Sequence, residues 1–434
     1  MTHHERAAPH NARAWFIWSL SALAFGYAFF QRVAPSVMVS DLMAEFAISG
    51  AVLGYLSALY FYPYVLLQVP LGTLLDRLGA RKLLTIAISI AAAGSFLFGS
   101  AESIYQAYAG RTLIGIGSAV GFLGSLALAA KWFPPRRYAL LTGLVMLVGM
   151  TSGIVAQAPL AALIEAIGWR NAMYAGAAFA GLLAVLIFAF VRNAPPENEP
   201  DKIVPVSTWG NVWHGFTRAI KRRDVWLVAL VAMAMTGPML SFGGLWGVPY
   251  LMVAYDLPRA DAAFFTSLLL MGWAFGAPLG GWLSDHIGRR KSPLLIAALI
   301  EAALMAVVVL IPGIPLWLTA IVLFLIGMSG GAMAITFAFA REMTVPAIQG
   351  TVSGIVNAMT VASGAILQPV IGVLLDWQWT GALQNGARVY AAGEYQTAFI
   401  CLIVWVLMAV AALLRLPETF CTPMADRVQP AAST

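Results

Sequence analysis

Two arginines interrupt apolar stretches long enough to cross a membrane. Arg32 lies in YAFFQRVAPS and Arg111 in YAGRTLIGIG. An arginine at mid-membrane costs about 2.5–3.5 kcal/mol on insertion scales, so it needs a wet cavity or a partner. No aspartate or glutamate falls within the first, second or fourth apolar segment to neutralise either one. Two uncompensated guanidiniums at similar depth fit an anion, a carboxylate or phosphate held by charge-assisted hydrogen bonds. Each has a simpler alternative. Arg111 ties its helix to backbone carbonyls or aromatic faces, and Arg32 snorkels to the interface. Glu301, in LLIAALIEAALMAVV, is the one acid deep within a span. It reads as a proton-coupling residue or as a neutral acid hydrogen-bonded to a neighbouring helix.

Further polar and aromatic residues recur at helical spacing. Tyr60, Tyr64 and Gln68 are four apart, Gln157 follows Gly149 and Gly153, and Ser353, Asn357, Thr360, Gly364 and Gln368 share one stripe. In SFGGLWGVPYL, Gly243, Gly244, Gly247 and Pro249 loosen the helix beside Trp246 and Tyr250, as a gate would require. Singly, each residue reads more simply as an interhelical contact. Together they outline a polar, aromatic-framed binding site.

The elements that must position them are membrane helices. Of 434 residues, 61% are hydrophobic and only 10% charged, against about 25% charged in ordinary soluble domains. The apolar stretches do not alternate as barrel strands do. Twelve spans are predicted, at 14–35, 50–73, 83–101, 104–131, 137–163, 169–192, 225–253, 260–283, 293–312, 314–340, 347–375 and 396–415. The predicted fold is an all-α integral membrane protein with six spans in 14–192 and six in 225–415. A polar tail at 1–13, a central loop at 193–224 and a tail at 416–434 complete it. Trp209, Trp213, Phe216 and Ile220 give the central loop a helical stripe, to lie along the membrane surface or merely to anchor a linker.

If the N-terminus is cytoplasmic, 20 of the 25 lysines and arginines fall on the cytoplasmic side. Only Arg170, Arg259 and Arg388 fall opposite. This predicts both termini on the cytoplasmic side, and the expected location is an inner membrane. It also explains the net charge of +6 without nucleic acid. The outer loop 376–395, with Trp377, Trp379, Tyr390 and Tyr395, reads as an interfacial segment or a lid. Cys401 and Cys421 indicate neither a disulfide framework nor a metal site.

One sentence of the sequence is written twice. GTLLDRLGARK at 72–82 returns as GWLSDHIGRRK at 281–291, 209 residues later. Gly72 and Gly281 are expected to let helices approach closely, Asp76 and Asp285 to pair with local arginines or cap a helix, and Gly79 and Gly288 to make the turn. This repeat, with Arg77, Arg81, Arg289 and Arg290, resembles the signature loop of the major facilitator superfamily, although Ala80 and His286 replace basic residues of the pattern. Span number, halves and central loop extend the likeness to the whole chain. Arg111, Gly115 and Gly117 resemble a second family motif, and Tyr27, Arg32 and Ser36 resemble the first span of the organic anion and organophosphate branches. The resemblance implies two rocking six-helix bundles and a conformational latch in which Asp76 and Asp285 engage the other half in the outward-open state; a turn that only sets topology explains the basic residues equally well.

The glycine–proline motif of drug–proton antiporters is missing from span five, as are the asparagine–glycine runs of nitrate porters. No phosphate-binding G-x-x-x-x-G-K-[ST] loop, nucleophile–base set or metal spacing appears. The expectation is a non-enzymatic, cofactor-free, monomeric carrier importing a small organic anion, with a proton or counter-anion as the second passenger. The alternatives are an exporter of amphipathic or cationic compounds and a non-transporting sensor on a carrier fold.

Overall fold

In a computed structural model, residues 12–195, 217–345 and 348–422 are described. The stripe residues Trp209, Trp213 and Phe216 lie outside them. Among the described residues, eleven helices are long and apolar enough to cross a membrane. Leu140–Val155 and Ala158–Ile167, bent by 42°, form a twelfth span if counted as one. The repeated turns mark one end of the bundle, called here the turn face. The loop after the eleventh span marks the other, the hairpin face.

Several spans are broken where the sequence weakens the backbone ladder. The first ends in a 3-10 turn at Ala34–Val37 containing Pro35. In the fifth, Gln157 leaves helical geometry at φ −100 and ψ −113, and Pro159 sits in the first turn of the next helix. Proline lacks the N–H that a continuous helix needs there. The seventh span runs Arg223–Pro238 and then a π-helix, Met239–Trp246. Pro238 removes one ladder bond, so the glycine-rich segment after it winds loosely. The tenth breaks at a 3-10 turn, Ala332–Ala334.

The first repeated turn is less of a loop than expected. Helix Phe61–Gly99 runs through it, with one break at Gly79, φ 74 and ψ 160. Only glycine occupies that region readily; another residue costs about 1–3 kcal/mol. A Cβ at Gly79 would also overlap the Asn193 side chain. Gly79→Ala is therefore expected to lower the melting temperature of the purified protein; unchanged melting would show that the break is not needed.

The close-approach role expected for Gly72 and Gly281 is not seen. A Cβ at either would meet nothing within 4 Å. Among the described residues, the side-chain position of each faces open space near the turn face. Gly272, Gly276 and Gly280, by contrast, do pack the eighth span on the tenth, at Phe324, Met328 and Ala332.

The aromatic loop folds as a short hairpin, Leu383–Gln384 paired with Ala387–Arg388. Asn385 and Gly386 have φ 50 and 85, the positive values such a turn demands. The Asn-Gly pair was the available sequence signal for this hairpin.

Candidate functional site

Arg32 and Arg111 converge on one tyrosine. Their guanidinium carbons lie 5.7 and 5.1 Å from the centroid of the Tyr60 ring. Arg32 also lies 4.7 Å from the Phe29 ring and 5.2 Å from the Tyr64 ring. Tyr60 and Tyr64 stack at 6.1 Å, and the Tyr60 hydroxyl donates to the Ala28 carbonyl at 2.8 Å. Gly115 allows this arrangement: a Cβ there would overlap the Tyr60 carbonyl oxygen. The fourth span therefore presses on the second, and Arg111, one turn away, reaches the Tyr60 ring.

The arginines are 6% and 2% exposed. Arg111 Nη1 donates to the Gln31 carbonyl at 2.7 Å. Among the described residues, its Nε and Nη2, and Arg32 Nε, are buried without a hydrogen-bond partner. Among the described residues neither arginine has a carboxylate within 4 Å. The expected structural tie of Arg111 is present, to both a carbonyl and an aromatic face, yet it uses only part of the donor set. Unsatisfied buried donors on a charged group cost about 1–3 kcal/mol or more each, a cost that water or an acceptor at these atoms would relieve.

The C-terminal half contributes Asn357, whose Nδ2 donates to Gln68 Oε1 at 3.1 Å. Arg32, Arg111, Tyr60, Tyr64, Gln68 and Asn357 thus form one cluster across the two halves. The other expected site residues lie elsewhere. Gln157 donates to the Gly243 carbonyl at 2.8 Å and accepts from Ser36 at 3.4 Å. Trp246 donates to the Gln368 carbonyl at 3.0 Å, and the Gln368 amide donates to the Leu240 carbonyl at 2.7 Å. Tyr250 packs among Phe242, Tyr395 and Phe399. These four fill a packed layer around the π-helix, with their donors already engaged.

Gln31 was missed. Its carbonyl holds Arg111, and its side chain donates to Tyr27 at 2.8 Å and Ser95 at 3.1 Å. An amide beside Arg32 in an apolar segment was the signal. Tyr27 bonds to Ser95 at 2.5 Å and so belongs to this supporting triad.

Contacts between halves close the hairpin face. Arg259 pairs with Asp41 at 2.7 Å. Asp376, ending the eleventh span, accepts from the Gly50 and Ala51 N–H groups at 2.9 and 2.8 Å, from Tyr390 at 2.6 Å and from Arg388 at 3.2 Å. It therefore caps the start of the second span from the other half. Burial, then the Asp376 carboxylate, push the Tyr390 phenol up, so it stays a donor at neutral pH.

On the turn face, three of the expected latch residues, Arg81, Asp285 and Arg290, bond within their own halves. Arg81 donates to the Phe188 carbonyl at 2.6 and 3.0 Å, and its N–H to Asn193 at 2.9 Å. Arg290 pairs with Asp285 at 2.5 Å and Glu342 at 2.8 Å. Gly288 makes the turn at φ 69, while Arg77 and Arg289 are exposed. The Asp76 side chain lies outside what the structure describes. Asp285 thus engages its own half here, not the opposite one.

Glu418 completes this network. Burial alone would raise its carboxyl, but the N–H groups of Arg290, Lys291, Thr419 and Ser292 outweigh burial and hold it below the usual glutamate range. A depressed carboxyl stabilises the folded state above the unfolded pKa, about 4.3, and this stabilisation is lost as pH falls through the folded value. Glu418→Gln is expected to cost about 1 kcal/mol at neutral pH, discounted for partial exposure. The difference from wild type should shrink on acidification below the ordinary glutamate range. Equal melting of the two proteins at pH 7 would refute this.

Fold and site together define a multi-pass membrane carrier of two six-helix halves. The model of the major facilitator superfamily matches residues 20–369 and 239–420, and the chain belongs to that superfamily. It is 26% identical over 291 residues to a probable sulfoacetate transporter of Cupriavidus necator, covering 65% of this chain and 67% of that one. It is 25% identical over 398 residues to a nitrite extrusion protein of Bacillus subtilis, covering 89% and 93%. In fold it resembles a bacterial homologue of the human lysosomal transporter Spinster in an inward-facing, unoccupied conformation. That match has a TM-score of 0.78 and 17% identity, and covers 98% and 100% of the two chains.

Proposed function

We propose that this transporter imports a small organic anion, a carboxylate or phosphate, across an inner membrane by alternating access. The observation that carries the reading is the arginine pair around Tyr60, buried, with free donors and no described carboxylate within 4 Å. Relatives described as a probable sulfoacetate transporter and a nitrite extrusion protein support an anionic cargo. The excess of basic residues on the turn face supports placing it, with both termini, in the cytoplasm. Import is supported by the missing antiporter motif. The contacts at Asp41 and Asp376 then close the outer side, the hairpin serves as a lid, and the cluster awaits release or loading from within. Rocking of the halves would exchange these contacts for a turn-face latch in which Asp76 and Asp285 reach the opposite half.

A thermal-shift screen of the purified carrier tests the cargo. A ligand at about 100 times its Kd stabilises by about 2.7 kcal/mol. Di- and tricarboxylates, sulfonates or organophosphates should raise the melting temperature, and the best of them should enter proteoliposomes. Stabilisation by organic cations, with none by anions, would overturn the reading.

A further inference from the structure

We propose that Glu301 is a proton-binding site in the C-terminal half, separate from the arginine cluster, and that the seventh span responds to its charge. The inference rests on the chain being a carrier, not on its cargo being an anion. Glu301 lies mid-way along the ninth span, is 1% exposed and makes no ion pair among the described residues. Its Oε2 is buried without a hydrogen-bond partner among the described residues.

Gly330 of the tenth span leaves the gap into which Glu301 projects. A methyl group there would sit 2.9 Å from Glu301 Oε1 and 3.0 Å from the Met235 carbonyl oxygen. The gap thus presents a carboxyl group and a carbonyl acceptor, and among the described residues no cation pairs with the carboxyl group. The titratable groups of the surrounding seventh, tenth and twelfth spans are mostly at their ends: Arg223 and Asp224, Tyr250 and Tyr255, Arg341 and Glu342, Glu394 and Tyr395. Cys401 is mid-span, and Lys291 begins the ninth span itself. None of them bonds to Glu301.

An unpaired carboxylate in such a place carries a desolvation penalty of several kcal/mol, whereas the neutral acid carries little. The group therefore holds a proton in this conformation. It can ionise only when a rearrangement brings water or a donor to it, which ties its protonation to the conformational cycle. Met235 is the point of transmission. It precedes Pro238 by one turn, and beyond Pro238 lies the π-helix whose Gly243 and Leu240 carbonyls accept Gln157 and Gln368. A charge at Glu301 would push on the segment that pins the two halves together. The balance is one proton bound from one face and released to the other per cycle, with no other reactant.

Infrared difference spectroscopy of the lipid-reconstituted full chain, titrated in pH with and without sodium ions, tests the site. Wild type minus Glu301→Gln should show a protonated-carboxyl band at neutral pH. In a background with Cys401 and Cys421 replaced, a cysteine at Ser36 should be labelled at a rate that, divided by that of a free thiol at the same pH, still changes with pH. A change of about tenfold corresponds to a bias of about 1.4 kcal/mol. That dependence should vanish in Glu301→Gln and return in Glu301→Asp. An ionised Glu301 at neutral pH, pH dependence that survives in Glu301→Gln, or a response to sodium ions at fixed pH would each overturn the proposal. If Glu301→Gln does not fold, wild type against Glu301→Asp provides the same comparison, since the two carboxyl bands differ in position; identical spectra would then overturn it.

Discussion

Arg111→Lys should reduce anion uptake by about 10- to 100-fold, the equivalent of about 1.5–3 kcal/mol for lost hydrogen bonds to a charged group. Lysine keeps the charge but not the planar fork. In the wild type, Nη1 is committed to the Gln31 carbonyl while Nε and Nη2 remain free. A single ammonium cannot hold that carbonyl, lie over the Tyr60 ring and still present two donors. The loss should appear in KM for the best anion from the thermal-shift screen, measured by uptake into proteoliposomes. Melting of the empty carrier should change little. Arg32→Lys should act in the same direction and more weakly, because Arg32 lies over three aromatic rings that an ammonium also favours. Wild-type transport by both variants would sink the anion reading.

Asp376→Asn should open the hairpin face. The carboxylate accepts from two N–H groups of the second span and from two side chains of its own half. An amide offers one acceptor oxygen and no charge. The loss of about 1.5–3 kcal/mol from the closed state corresponds to a shift of about 10- to 100-fold toward opening. Maleimide labelling of a cysteine placed at Ser36, which is buried and bonds to Gln157, should accelerate accordingly. Asp41→Asn should give a smaller change, since its pair with Arg259 is partly exposed and such pairs contribute little. An unchanged labelling rate in Asp376→Asn would show that the cap does not control access.

How much of the site was legible depends on the kind of signal each residue carries. Arg32 and Arg111 stand out because a charge in an apolar segment is improbable without a partner or cavity. Tyr60, Tyr64 and Gln68 follow from helical spacing, and the structure joins them to the arginines. Gln157, Trp246 and Gln368 carry the same signal of polar or aromatic residues on a helix face, yet their donors are spent on backbone carbonyls. Spacing reports which residues share a face, not what that face meets. Gln31 shows the converse: its role rests on a main-chain carbonyl, which has no residue type to read.

The sequence by itself determined the twelve-span architecture, its two related halves and the uncompensated charge of the first. Hydropathy, span length and repetition are properties of the chain and survive any packing. Counting 209 residues on from the two arginines reaches Ser241 and Ala320, so the asymmetry of charge between the halves was also visible. Tertiary structure alone decided which polar residues meet. It set Arg32 and Arg111 on one tyrosine and turned Asp285 toward its own half. It also placed Asp376 on the second span, more than 300 positions away in sequence. Such contacts depend on how helices cross and where they break. Proline and glycine mark the break points, but only the packed neighbours fix the direction each helix takes beyond them.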